Sequence, residues 1–369
     1  MNSTVRGTDG YRLRQLVNNP RFFPGDTMLR LCPALTVACI ATAAGQEIRY
    51  AMELNHVPVE CRSVAMGNSG VALIRNGTSA FWNPALPAFN TKYEIAVEGA
   101  KLYANLADLG TASMSAQVQD GMSMGTVYTG FFSGDILLQD TLPGTPLERL
   151  YNPELRASGS DSKGVFHNNQ HRIQVFVARI FPIPIPRPAG VSIPLPVDVA
   201  AGLNFKYYWQ TMTPEDNVRM GFNVNMDFGA AISIGADFDL TRREISRRIL
   251  FGMAIRDFLP TQVMWVQSPI DYREHVNSSR FYGVSYNDNT GFFKGNWTLS
   301  AGVHKTYSSS IHVGLEGEFW DIIAFRAGLS DRMPTVGAGI HTDIFSIDYA
   351  MSFDEIAISP LRLAIGFSF

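Results

Sequence analysis

The chain has 369 residues, 46% of them hydrophobic and only 17% charged, with a formal net charge of −3. An ordinary soluble domain carries roughly 25% charged residues. The apolar content suffices for a large core or a large apolar surface, and without a long basic run nucleic-acid binding has no electrostatic footing.

Residues 1–27 are polar and unpatterned. Then comes MLRLCPALTVACIATAAGQEIRY, in which Met28 and Arg30 make a short basic start and Leu31 to Ile40 an apolar run. Ala41-Thr42-Ala43 or Ala43-Ala44-Gly45 supplies small residues for cleavage. This is the pattern of a secretory signal peptide, placed at 28–45, and its apolar run is too short to span a bilayer as a helix. Translation is therefore expected to start at Met28, with 1–27 an extension; a tethered N-terminal segment is the alternative. Thr36-Val37-Ala38-Cys39 misses a lipoprotein box because Leu35 sits one position too far upstream. Removing the signal takes Cys32 and Cys39, which leaves Cys61 and no intramolecular disulfide.

The stretch RSVAMGNSGVALIRNGTSAFWNPALPAF, Arg62 to Phe89, is too apolar for a surface loop and too interrupted for one regular helix. Val64 to Ile74 has apolar residues at helical spacing, so one face is suited to packing. Gly67 and Gly70 permit close approach to a wall, and Asn83 before Pro84 disfavours helix and fixes a turn. A plain N-terminal strand and turn is the bland alternative.

After Lys92 the chain becomes a series of alternating segments. In SIHVGLEGEFW, Ile311, Val313, Leu315 and Phe319 share one face, while His312, Gly314, Glu316 and Glu318 share the other. RMGFNVNMDFGAAI and DVAAGLNFKYYWQ repeat the pattern. A period of two means strands with one apolar face. Most run about 8–12 residues, the length a bilayer crossing needs. The polar face is mainly Gly, Ser, Ala, Asn and Thr, which suits the lumen of a barrel in lipid better than a solvated sheet. Glu316 and Glu318, on that lumen face, are explained by solvation. Aromatics at strand ends, Tyr207-Tyr208-Trp209, Phe319-Trp320 and Phe292-Phe293, suit interfacial girdles. Gln139 to Asn169 reads as a long loop, Phe181 to Val197 as an extended proline-rich connection, and Thr241 to Ile249 as a basic turn. The chain ends on Leu361, Leu363, Ile365, Phe367 and Phe369, alternating to the last residue. This resembles the C-terminal signal strand of bacterial outer-membrane barrels, which their assembly machinery reads.

Catalytic chemistry finds little support. His167 and His171 have the i, i+4 spacing of helical metal ligands but fall at the start of a strand without a third ligand. Asp354-Glu355 sits at a turn, and Gly67-Asn68-Ser69-Gly70 lacks the strand and spacing of a dinucleotide fingerprint. No catalytic residue, cofactor or metal is expected.

With strands of membrane length behind it, AMGNSGVALIRNGTSAFWNPALPAF resembles the N-terminal region of FadL-like long-chain fatty acid transporters and of PorV-like and spirochaete-type FadL-like relatives. The resemblance rests on a Gly-rich start, a short helix of small residues and Asn83-Pro84-Ala85 preceded by Trp82. It implies an all-β transmembrane antiparallel barrel of about 14 strands over 92–369, with residues 46–91 folded inward as a hatch. Gly67, Gly70, Trp82, Asn83, Pro84 and Ala85 would be the hatch residues. Hydrophobic molecules such as fatty acids would pass an apolar lumen and leave sideways into the bacterial outer membrane, among outer-membrane lipids. Leu86-Pro87 follows where relatives carry Gly, and no ligand-contacting residue is carried over. Two other readings stay open. One is a PorV-like role in protein secretion or docking, supported by the loop Gln139 to Asn169; the other is a soluble secreted β-protein.

Overall fold

The computed structural model describes residues 53–369 apart from 75, 91, 139–141, 156–162, 184–196, 215–217, 240–243, 267–273, 292–294 and 354–357. The expected extension and signal peptide, most of the proline-rich connection, Phe292-Phe293 and Asp354-Glu355 lie outside the described residues.

Among the described residues seventeen strand runs form one sheet. They are β1 Glu94–Leu102, β2 Ala107–Gln119, β3 Met122–Ser133, β4 Ile136–Leu138, β5 Gly164–Ile183 and β6 Val197–Pro214. Next come β7 Arg219–Asp239, β8 Glu244–Arg256, β9 Gln262–Val266, β10 Glu274–His275, β11 Ser279–Asp288 and β12 Gly295–Lys305. The last are β13 Ser309–Phe319, β14 Ile323–Ser330, β15 Met333–His341, β16 Phe345–Phe353 and β17 Ile358–Ser368. All ladders are antiparallel, and β1 pairs β17 with Glu94 opposite Ser368. β4 extends β3 along β5, β8 and β9 are two pieces of one stave along β7, and β10 and β11 two pieces of the next. The runs therefore make a closed barrel of 14 staves. Closure leaves no edge with unpaired backbone groups, which is what lipid demands.

The alternation read in the sequence maps onto the two faces of this wall. Ile311, Val313 and Leu315 stand exposed outside, and His312 and Glu316 are buried inside. Val224, Phe205, Phe251 and Phe325 are likewise exposed, while Asn225, Asn204, Lys206 and Arg326 point inward and are buried. An apolar exterior over a polar interior is the surface of a membrane-spanning barrel. The outer rings gather near the two ends. His171 stacks on Trp209 at 4.8 Å, beside Tyr128 and Tyr207, and Phe319 contacts Trp297, Trp320 and Phe325 at the end that holds the barrel's termini. Tyr208 departs from the girdle expectation: it faces inward and is fully buried, because the strand period sends every second side chain to the lumen.

Two boundaries differ from the sequence reading. The loop expected over Gln139 to Asn169 ends early, since β5 starts at Gly164 and its polar residues His167 to Gln170 pair with β6. A strand that projects beyond the apolar band needs no apolar face there. Within the loop a short helix, Pro146–Tyr151, is fixed by a capping box between Thr145 and Glu148. The basic segment expected as a turn is largely strand: β8 carries Arg247 and Arg248, and Arg247 Nε lies 3.4 Å from Asp288.

Residues 53–90 fill the inside of the barrel as a plug. Its helix, α1, covers only Cys61–Ala65, not Val64 to Ile74. Glu60 caps it by accepting from the Arg62 and Ser63 N–H groups. The chain then turns through left-handed backbone at Gly67 (φ 69°) and Asn68 (φ 63°), which ends any helix. Single 3-10 turns follow at Gly70–Ala72, Gly77–Phe81 and Leu86–Phe89.

Candidate functional site

The plug makes a circuit of the inner wall. α1 lies on β14 to β17, Gly70–Ala72 on β8, β11 and β12, Gly77–Phe81 on β1 to β3, and Leu86–Phe89 on β3 and β5 to β7. On part of this circuit the fit is backbone against glycine. A Cβ on Gly202 would overlap the Pro84 carbonyl, one on Gly229 the Asn83 Oδ1, and one on Gly252 the Val71 carbonyl. Gly202 pairs Gly229, and Gly252 pairs Gly283, so these inward positions form smooth tracks across neighbouring staves. Gly314 and Gly328, also paired, receive Met66 and Gly67 in the same way.

Of the residues singled out in the sequence, Gly67 meets the wall. A Cβ there would lie 2.6 Å from the Leu329 carbonyl oxygen. A Cβ on Gly70 would meet the plug's own Ser63 Oγ and Trp82 Cγ, each at 2.5 Å, so Gly70 makes room for the indole. Trp82 Nε1 donates to the Val59 carbonyl (3.0 Å), and its ring packs edge-on to Phe81 and beside Phe281 and His304. Asn83 is fully buried and ties three things together. Its Nδ2 donates to the Val71 carbonyl (3.0 Å) and to the Ala230 carbonyl of the wall (3.1 Å), and its Oδ1 accepts from Ala85 N–H (3.0 Å). Pro84 and Ala85 then sit against Gly202. At the chain end, Leu363, Phe367 and Phe369 are exposed outside and Ile365 is half-buried. β17 pairs β1 and β16, and Phe369 N–H donates to the Tyr93 carbonyl (2.9 Å).

Elsewhere on the circuit ionised groups hold the plug. Arg62 grips Glu316 through two hydrogen bonds of 2.8 and 2.5 Å, and Arg326 Nε reaches the same carboxylate at 2.5 Å. Arg326 also pairs Asp348 at 2.7 Å. Glu98, paired with Arg362, accepts the N–H groups of Glu60 and Cys61 at 3.0 Å each. Burial alone would make the Arg62 guanidinium easier to deprotonate; the Glu316 carboxylate more than offsets this and holds it charged. Solvation therefore does not account for Glu316, which is buried in an ion network. Burial, with the Glu98 charge added, pushes the Cys61 thiol up. Neither the glycine tracks nor these ion pairs were found in the sequence. The available signal was the recurrence of Gly at polar-face positions of successive strands.

Above the plug lies a cavity of about 390 Å³. Phe81, Trp82 and Phe281 give it aromatic walls, and His56, Arg256, His304 and Tyr307 give it polar groups. Two guanidinium groups lie over the Phe81 ring, Arg256 at 4.0 Å and Arg172 at 4.6 Å from its centroid. This lumen is mixed aromatic and polar, not the apolar one the resemblance implied. The wall beside it is broken. Pairing of β7 passes from Phe222 opposite Met264 to Phe228 opposite Ile255, and Asp257 in the gap has φ 52°. A backbone bond, Phe258 N–H to the Met226 carbonyl (3.1 Å), and side chains cross the gap: Asn223 and Asn225 donate to Thr261 Oγ1 at 2.9 and 2.8 Å. Behind it Lys206 sits 2.5 Å from both Asp227 and Asp257, and the plug's Asn55 donates to Asp257 at 3.1 Å.

His167 and His171 share one strand, about 13 Å apart at four residues' spacing, too far for one metal ion. Among the described residues no group of three or more His, Cys, Asp or Glu is placed to hold a metal ion.

No protein-family model and no curated protein sequence matches the chain. Among solved structures it is similar to several hydrocarbon channels and to a FadL homologue. The deltaS2 mutant of the TodX monoaromatic hydrocarbon channel shares 10% identity over 84% of this chain and 98% of its own, with a TM-score of 0.49. A Pseudomonas aeruginosa FadL homologue shares 10% over 85% and 97%, with a TM-score of 0.42. The Ralstonia pickettii toluene transporter TbuX shares 10% over 84% and 97%, with a TM-score of 0.37.

Proposed function

We propose that the protein is an outer-membrane channel that passes hydrophobic or amphiphilic small molecules, with the plug as its gate. The observation that carries this reading is the aromatic cavity, whose floor, Phe81 and Trp82, belongs to the plug. Its volume of about 390 Å³ falls in the usual range for small-molecule sites, roughly 300–1,000 Å³. A molecule with an apolar body would lie against Phe81, Trp82 and Phe281, with its polar group toward Arg256. The wall break at Asp257 to Thr261 would be the sideways exit, and Asn55, bound to Asp257 and Arg256, would couple plug movement to it. Long-chain fatty acids are the substrate class that the sequence resemblance implies. Passage is passive, since the reading invokes no energy source, and the terminal strand with Leu363, Ile365, Phe367 and Phe369 would direct barrel assembly.

The test is uptake of labelled fatty acids and monoaromatic hydrocarbons into proteoliposomes, with mass spectrometry of lipids that co-purify. Folded protein that neither binds nor passes either class would sink the reading. A docking role of the PorV-like kind draws on one feature: the capped loop helix Pro146–Tyr151 exposes Leu147, Leu150 and Tyr151 together. A stable protein partner retained through envelope extraction would favour it.

A further inference from the structure

Two further cavities flank α1. One of about 370 Å³ lies at the end holding the barrel's termini and is lined by Arg62, Asn90, Lys92, Glu94, Glu318 and His341, among others. The other, about 200 Å³, is lined by Val64, Asn68, Leu102, Ser330 and Arg362, among others. A single helical turn separates them, for Arg62 borders the first and Val64 the second. The second cavity shares only Pro58 and Asn68 with the aromatic cavity.

The wall around this turn carries a dense set of charges, although Ala350 and Ala364 pack directly on Cys61, Val64 and Ala65. Arg362 pairs Glu98; Arg326 bridges Glu316 (2.5 Å) and Asp348 (2.7 Å); His341 contacts Glu318 (2.7 Å) and Asp348 (2.9 Å). So dense a set of ionised groups is costly to bury unless paired, and its pairing is completed by one plug residue, Arg62. The charged stretch borders the first cavity; the second has a mostly apolar lining that includes Val57, Val64, Leu102, Tyr103, Met333 and Leu361.

We propose that the barrel holds a second conducting route along β13 to β17 and β1, taking small hydrated cations and closed by α1 through the Arg62–Glu316 pair. A helix with its side chains is about 10 Å across. Moving α1 aside joins the two cavities through a gap wide enough for an ion with its first water shell. The charge left on the wall sets the sign. Counting the residues that line the two cavities with their ion-pair partners, Glu94, Glu98, Glu316, Glu318 and Asp348 then face Lys92, Lys101, Arg326 and Arg362, five carboxylates to four cations when His341 is neutral. The route shares a mobile plug with the channel proposed above, but it needs no hydrophobic cargo.

The experiment is single-channel recording of the folded, heat-modifiable protein in planar bilayers across a potassium chloride gradient. Wild type is expected to be mostly closed. Arg62→Ala raises the open fraction at least about tenfold, the change that about 1.4 kcal/mol of lost docking produces. The reversal potential of that current moves toward the potassium value, and adding Glu98→Gln and Asp348→Asn moves it back. A lock serves as control: Ser69 and Ser300 touch at 2.5 Å, so Ser69→Cys with Ser300→Cys, in a Cys61→Ala background, ties the plug to β12. Oxidation should silence the Arg62→Ala current and reduction restore it. The proposal is overturned if folded Arg62→Ala conducts no more than wild type, if its current prefers chloride, or if the locked plug leaves it unchanged. If Arg62→Ala does not fold, Glu316→Gln is read by the same criteria. Loss of fatty acid or hydrocarbon uptake with the cation current intact would sink the hydrophobic channel and leave this route standing.

Discussion

Against β6 to β8 the plug meets the wall backbone to backbone, through Gly202, Gly229 and Gly252; against β13 to β17 and β1 it also holds on through Arg62, Glu316 and Glu98. The first kind of contact depends on shape, falls off within an ångström and carries no net charge. The second depends on charge, and each partner left behind is a buried ion. An added methyl group therefore disturbs the β6 to β8 arc, while the β13 to β17 arc, which has its own glycine contacts at Gly314 and Gly328, answers also to loss of a charge.

Removing the charge has the larger expected effect. Arg62→Ala breaks a buried pair, a change that costs about 3–5 kcal/mol. Cys61, shielded beside the Arg362 carbonyl with its thiol pushed up by burial, should become open to maleimide, as read by mass at that residue. Unchanged labelling would mean that the ion pair is not what holds α1. A methyl on a glycine track comes next. Gly252→Ala forces a clash with the Val71 carbonyl, and overpacking of this kind costs about 1–3 kcal/mol. Hydrogen exchange should rise over residues 70–89 but not over 60–66; Gly99→Ala, where a Cβ meets nothing within 4 Å, should do neither. Equal loosening of both segments would dissolve the distinction between the arcs.

Asn83→Ala removes two donated bonds and one accepted bond at a fully buried site, at about 1–3 kcal/mol for each group left unsatisfied. The barrel should still assemble, as judged by heat-modifiable migration, while passage changes. If assembly fails instead, the segment is structural and the gate reading goes with it. The smallest effect is a pH dependence. Burial, then the charges of Arg256 and Lys206, lower His56 from 6.5 to about 4. The docked plug thus favours neutral His56, so this contribution is complete above pH 6.5 and is lost as pH falls toward 4. Protection near residue 56, taken relative to the intrinsic exchange rate at each pH, should fall between those values, and His56→Gln should flatten the response.

Much of the wall could be read in the sequence because lipid outside and polar groups inside impose a period of two that no packing accident hides, as in Ile311 to Leu315 and Val224 to Phe228. Asn83-Pro84-Ala85 was readable for a local reason: an Asn before Pro both blocks helix and can bond its own chain two residues on. The glycine tracks were not, because a small residue on a lumen face looks the same whether water or a carbonyl lies opposite. Arg62 and Glu316 are 254 positions apart, and only closure of the barrel brings them together. The reach of β5 beyond the membrane band was lost for the opposite reason, since His167 to Gln170 lack the alternation that marks the rest. Helical spacing from Val64 to Ile74 misled because Gly67 and Asn68 take left-handed backbone, which the spacing does not encode.

A plug that touches staves all around the circumference also measures it. Neighbouring strands lie about 4.8 Å apart, and in a tilted barrel two more staves would widen the bore by about 4 Å. Met66, Val71 and Pro84 would then stand clear of Gly314, Gly252 and Gly202, and no one position of the plug could satisfy all three. The same contacts that seat it thus act as a gauge of strand number: insertion of an extra hairpin anywhere in the wall should be felt on the far side of the lumen.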